Sequence, residues 1–166
     1  MLTVLIETRN SEEALARTLA SLISGAVEGV VREVVVIDRG STDQTHHVAE
    51  HAGCRFTTDG LAAAVSQAKG EWLLVLEPGA RLAEGWMEPV LAHFSRQTMA
   101  ARFSRAKADR APFLKRMLSR TTALANGLLI SKRQAMSLAR NATDADGLAR
   151  GLAVKTLAAE IFAAPR

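Results

Sequence analysis

The chain has 166 residues, 48% of them hydrophobic, and a formal net charge of +4. That is enough apolar material for one domain with a full core, and no run approaches the roughly 18 apolar residues of a membrane span. Tyrosine is absent and aromatics make up 4% of the chain, so the stacking platforms of a nucleic-acid binder are scarce and no nucleic-acid partner is expected.

Leu2 to Ile6 is a short β-rich apolar run that reads as a buried strand, which also argues against a secretory leader. Asn10, with Glu13 three residues on, predicts the N-cap of a helix. Leu15, Leu19, Leu22 and Ile23 recur at helical spacing, and Gly25 is expected to stop it. Glu33 to Asp38, EVVVID, predicts a second buried strand, completing a right-handed βαβ unit. Ser41 or Thr42 would cap a helix to about His51, ended by Gly53. Cys54 to Thr57 reads as a strand, Leu61 to Lys69 as a helix closed by Gly70, and Trp72 to Leu76 as another buried strand. A helix over 87–96, a strand over 99–104 and a helix over 112–125 opened by Pro112 follow. The rest reads as a strand over 128–131, helices near 132–140 and 144–152, and an extended piece after Val154. Alternating strands and helices mean an α/β domain with a mainly parallel sheet. There is no internal repeat or linker.

In such sheets ligands bind outside the carboxyl ends of the strands. That rule selects Glu7-Thr8-Arg9-Asn10, Asp38-Arg39-Gly40-Ser41 and Glu77, which stands at the end of an apolar run and is followed by Pro78-Gly79. At these residues the chain resembles the family 2 glycosyltransferases, whose fold is termed GT-A. Asp38-Arg39-Gly40-Ser41-Thr42-Asp43 is similar to the family's Asp-Asp-Gly-Ser-Thr-Asp, and Glu7-Thr8-Arg9-Asn10 to its first turn. Ala68-Lys69-Gly70-Glu71 leads to Glu77-Pro78-Gly79 at the position of the family's Asp-x-Asp, and Leu82 to Trp86 matches the Leu-x-x-Gly-Trp that follows. Asn126 to Ser131 looks like the strand before the family's late acidic motif.

The resemblance implies one GT-A-like domain over 1–166 that transfers a sugar from a nucleotide-sugar donor, of UDP or GDP type, to an unidentified acceptor. It places nucleoside contacts at Thr8, Asn10 and Asp38. Family members commonly hold Mg²⁺ or Mn²⁺ at Asp-x-Asp, and hard cations want several oxygen ligands; here Glu77 supplies one carboxylate. Arg39, with Arg9, could replace metal charge by pairing with phosphate; alternatively the site has decayed and Arg39 is a solvated turn residue. A weakened nucleotide-sugar-binding or partner-binding module is therefore the alternative to an active enzyme. Asp144 and Asp146 lie where the family carries its late acids. Asp144 is the candidate catalytic base, against the simpler expectation of a helix-capping acid. The resemblance further suggests envelope or polysaccharide synthesis.

Other constellations are weaker. His47 and His51, four apart with Asp43 one turn earlier, could bind zinc, but two histidines without a third ligand fit a solvated helix face better. No phosphate-binding glycine loop of the P-loop or dinucleotide type occurs, and a nucleotidyltransferase would usually show one after the first strand. Cys54, the single cysteine, excludes an internal disulfide and suits a reducing cytosol. Charge is concentrated: residues 102–120 hold seven Lys/Arg against one acid, leaving 14 basic and 16 acidic residues elsewhere. The segment 112–125 reads as a basic amphipathic helix suited to peripheral contact with an anionic membrane, which would place a cytoplasmic protein at the inner face.

Overall fold

The computed structural model describes residues 1–96, 99–107 and 122–165. Strands β1 (Leu2–Thr8), β2 (Val31–Asp38), β3 (Arg55–Thr57), β4 (Trp72–Leu76), β5 (Arg81–Leu82), β6 (Ala101–Arg105), β7 (Leu128–Ser131) and β8 (Lys155–Phe162) form one sheet in the order β3-β2-β1-β4-β7-β6-β8-β5. Helices α1 (Glu12–Val27), α2 (Thr45–His51), α3 (Leu61–Gln67), α4 (Met87–Arg96), α5 (Lys132–Ala139) and α6 (Ala145–Ala149) flank it. The first four strands in the order are mutually parallel. β7 is antiparallel to both β4 and β6, β8 is parallel to β6, and β5 is antiparallel to β8. The sheet is thus mixed but mainly parallel, with an all-parallel first half and antiparallel pairings brought in by β7 and β5.

The alternation of side chains along each strand builds a core on both faces. Val4, Ile6, Val36, Leu74 and Leu76 pack on the side of α1 and α4 with Leu15, Leu22, Trp86 and Val90. Leu5, Val35, Ile37, Leu73 and Val75 pack on the other side with Leu61, Val65, Ala135 and Leu148 from α3, α5 and α6.

Several local expectations change. Asn10 is not the N-cap of α1: Ser11 holds that position. Asn10 instead sits in the left-handed region, φ 48, which asparagine tolerates. Gly25 does not end the helix, which runs on to Val27. It is buried inside α1, and a Cβ built there would lie 2.6 Å from a ring carbon of Trp86. Neither Ser41 nor Thr42 caps α2; Gln44 precedes it. The short strand β5 carries too few residues for its pattern to show in the sequence. Of the expected helix over 112–125, residues 112–121 lie outside the described residues, and 122–125 lie in a loop and turn ahead of β7.

Gly25→Ala tests the packing reading. Alanine gains about 1 kcal/mol of helix propensity, but overpacking a filled core typically costs about 1–3 kcal/mol. We expect a net fall in melting temperature of about 2–8 °C. In the double variant with Trp86→Phe the loss should be smaller than the sum of the two single losses, measured by thermal denaturation.

Candidate functional site

The loops after β1 and β2 lie side by side because their strands pair in register, Thr8 opposite Asp38. Asp38 is only 8% exposed. Its Oδ1 accepts from Thr8 Oγ1 at 3.0 Å and Ser41 Oγ at 2.5 Å, and its Oδ2 from the backbone N–H groups of Gly40 at 3.0 Å and Ser41 at 2.8 Å. Burial pushes this carboxyl up, but the bonds from Ser41, Thr8 and Gly40 together outweigh it and hold the group below the ordinary carboxylate value. Four bonds fill a carboxylate's roughly four acceptor positions, so Asp38 shapes its loop and has little capacity left over. Asn10 joins the same structure: its N–H donates to Ser41 Oγ at 2.9 Å, and its Oδ1 accepts from the Thr42 N–H at 2.7 Å. Asp43 locks the start of α2 against α1, accepting from Thr45 and from the Glu12 N–H.

Arg39 points to the other face. Its Nη1 donates to Glu7 Oε1 at 2.7 Å and to the Thr143 carbonyl at 3.0 Å. Glu7 Oε2 accepts from the Ala145 N–H at 2.7 Å, tying the start of α6 to the end of β1. The Arg39 side chain is still half exposed. In this structure its Nη1 is paired with an internal carboxylate. Asp144 is the N-cap of α6, with Oδ1 accepting from Gly147 N–H at 2.8 Å; Oδ2 has no hydrogen-bond partner among the described residues. Asp146 accepts from the Leu124 N–H and pairs with Arg150. Arg9 is exposed, and its side chain has no polar partner among the described residues.

A cleft of about 540 Å³ opens beside these loops, lined by Asp38, Arg39 and Gly40, by Thr58, Asp59 and Gly60 after β3, and by Thr143. The sequence reading missed Thr58 and Asp59, although the carboxyl-end rule includes β3 as much as β1 and β2. Asp59 is exposed and its carboxylate has no partner among the described residues.

Glu77 stands one residue past β4, where Thr122 Oγ1 donates to its Oε1. No hydrogen bond joins it to the Asp38 or Glu7 networks among the described residues, so the three strand ends do not form one bonded cluster. Asn126, two residues before β7, was also missed. It lies in the turn that leads into β7, and its Oδ1 is buried without a hydrogen-bond partner among the described residues. An orphaned buried oxygen is costly. An amide oxygen before β7 and the Glu77 carboxylate after β4, the strand β7 pairs with, are of the oxygen type that a hard cation takes. The fit is incomplete, since no cluster of three His, Cys, Asp or Glu side chains occurs among the described residues, so phosphate and water would have to supply most of the ligands. His47 and His51 are exposed on α2. Burial pushes the Cys54 thiol up to about 11, an unreactive group.

Asp38→Asn measures what the Asp38 cluster contributes. Hydrogen bonds to a charged group are each worth about 1.5–3 kcal/mol, and the amide nitrogen cannot accept, so we expect a loss of about 2–4 kcal/mol at neutral pH. A carboxyl lowered in the folded state stabilises above its unfolded value near about 3.9 and loses that contribution as pH falls through the folded value. The gap between the two proteins should therefore narrow below about pH 4 in urea unfolding.

Comparison with known proteins bears on the family and the fold. Residues 3–157 match the family described as Glycosyl transferase family 2. Residues 1–349 of S. aureus TarS superpose with a TM-score of 0.67 at 17% identity, over 94% of this chain and 57% of that one. The mannosyltransferase PcManGT of Pyrobaculum calidifontis, solved with GDP-Man and Mn²⁺, gives 0.65 at 17% identity, over 93% and 54%. The glucosyl-3-phosphoglycerate synthase of Mycobacterium tuberculosis, solved with Mn²⁺, UDP and phosphoglyceric acid, gives 0.58 at 16%, over 81% and 56%. A TPR repeat-containing protein of Synechococcus elongatus is 37% identical over 89 residues, 48% of this chain and 21% of that protein. The chain spans little more than half of each of these three solved chains and about a fifth of the curated relative. Among the described residues no helix is long and apolar enough to cross a membrane. On the match across nearly its whole length, the chain belongs to glycosyltransferase family 2, with a GT-A-like α/β fold.

Proposed function

We propose that this domain transfers a sugar from a nucleotide-sugar donor, of UDP or GDP type, to an acceptor hydroxyl. The observation that carries the reading is the cleft at the carboxyl ends of β2 and β3, walled by the rigid Asp38 loop and rimmed by Asp59 and Arg39. Thr8, Asn10 and Asp38 hold the wall in shape. The Asp59 carboxylate, without a partner among the described residues, is suited to accept from base or ribose donors. Arg39 and the exposed Arg9 offer cations to the diphosphate, Arg39 by exchanging Glu7 for a phosphate oxygen. Glu77 and Asn126 would hold Mg²⁺ or Mn²⁺, which would supply further positive charge at the diphosphate. Asp144 has one oxygen engaged in capping and one left to take a proton from the acceptor. We infer a cytoplasmic setting, in cell-envelope or polysaccharide synthesis, from the family resemblance; membrane contact through 112–125 belongs to the same proposal.

A second reading has its own observation: the single carboxylate at Glu77 and the Arg39–Glu7 pair favour a weakened nucleotide-sugar-binding module. A thermal-shift panel of UDP, GDP and their sugars, with and without Mn²⁺, tests binding. A ligand at about 100 times its Kd adds about 2.7 kcal/mol, a rise of about 5–10 °C for a domain of this size. The active-enzyme reading expects an Mn²⁺-dependent shift that Glu77→Gln abolishes. A metal-independent shift lost in Arg39→Ala supports the binding module, and no shift with any nucleotide sinks both. If turnover is found, Asp144→Asn separates the two roles of that side chain. Asparagine caps a helix about as well as aspartate, so stability should hold while the rate falls about 10²–10⁴-fold.

A further inference from the structure

A cavity of about 870 Å³ lies at the opposite edge of the sheet, between the amino end of β4, the C-terminal part of α4 and α5. Its floor is aromatic: Trp72 and Phe94 stack with ring centroids 5.0 Å apart, and His93 meets Trp72 edge-on at 5.5 Å. Met136 extends this floor and is 43% exposed. Lys69, Lys132, Arg133 and Arg140 surround it, against one acid, Glu71. The Lys132 ammonium donates to the Ala68 carbonyl at 2.6 Å. Lys69, Arg133 and Arg140 are exposed and make no ion pair among the described residues. On the same edge, Lys155 begins β8 and Arg102 follows the start of β6, which widens the positive field.

This contrasts with the carboxyl edge, where Arg39 and Arg150 are each paired with an acid. An apolar floor of Trp and Met ringed by unpaired arginine and lysine has the composition of a protein-docking surface. The groove is concave, which does not suit a flat lipid surface. Trp72 already shares its stacking with Phe94, which leaves little ring face for nucleobases. We propose that the groove between α4 and α5 binds an acidic peptide segment of a partner protein, with carboxylates on Lys69, Arg133 and Arg140 and a bulky apolar side chain over Trp72 and Met136. The site is independent of donor binding, being at the far edge of the sheet.

Trp72 lines this groove and is partly exposed, whereas the other tryptophan, Trp86, is 2% exposed in the core, so a change in emission on binding reports on Trp72. The test is a fluorescence titration of the whole chain with a short synthetic glutamate–leucine peptide, alongside a lysine–leucine peptide, phosphatidylglycerol vesicles and single-stranded oligothymidine. The acidic peptide should shift Trp72 emission, more weakly as salt is raised. Arg133→Glu with Arg140→Glu should weaken binding at least about tenfold while leaving the melting temperature unchanged, since both side chains are solvated. The proposal is overturned if the acidic peptide fails to bind, if it binds the double variant as well as the parent, or if only vesicles or the oligonucleotide produce the shift.

Discussion

Everything at the candidate site depends on β1 being buried on both faces between two parallel neighbours. Its residues from Leu2 to Ile6 are inaccessible, and its backbone groups are used in ladders with β2 and β4. Thr3, its one polar residue in that stretch, is held by hydrogen bonds to Glu33 and Gly70, and the polar groups that reach the site appear where the strand ends. Because parallel neighbours in register present the same face, Thr8 and Asp38 emerge together toward α1 and α2. Glu7 emerges one residue earlier, toward α6. One strand end thus divides into two networks: a carboxylate saturated by its own loop, and an ion pair that ties Arg39 to the start of α6.

The hydrogen bonds of this edge join segments far apart in sequence. Asn10 reaches Thr42, Glu12 and Gln44 are linked, and Glu7 reaches Ala145 across 138 residues. Such contacts rigidify loops that would otherwise be mobile, as a preorganised binding wall requires. They also consume charge. Asp38 is satisfied by its own loop and Arg39 is paired through Nη1 with Glu7, while Asp59 nearby has no partner for its carboxylate among the described residues. At the amino edge the arrangement differs: Lys69, Arg133 and Arg140 border an aromatic floor with Glu71 as the one acid in the lining, and make no ion pair among the described residues.

The strands that were legible were those with buried, continuous apolar runs. Trp72–Leu76 and Leu128–Ser131 were read with their observed bounds, because burial on both faces demands unbroken hydrophobicity. The motif at 38–43 was legible because its short polar residues at fixed spacing leave few ways to close the loop after a parallel strand. Gly25 was misread because a glycine inside a helix and one ending it look alike in sequence; only the neighbouring Trp86 ring tells them apart. Asn10 was misread because the carbonyl of its side chain can cap a helix or hold a neighbouring loop, and the loop lies 32 residues away.

By itself the sequence determined the class of fold, the strands that carry polar groups to one edge, and the membership in a family, since each follows from local pattern and spacing. Tertiary structure decided which polar groups remain available. Glu7, Arg39 and Asp144 were visible as charges, but their partners come from distant segments. Asp59, Asn126 and the groove under α5 owe their significance to neighbours absent from their own stretch of chain. The physical reason is that pattern records what a side chain is and which face it takes, whereas pairing and burial depend on what the folded chain brings against it.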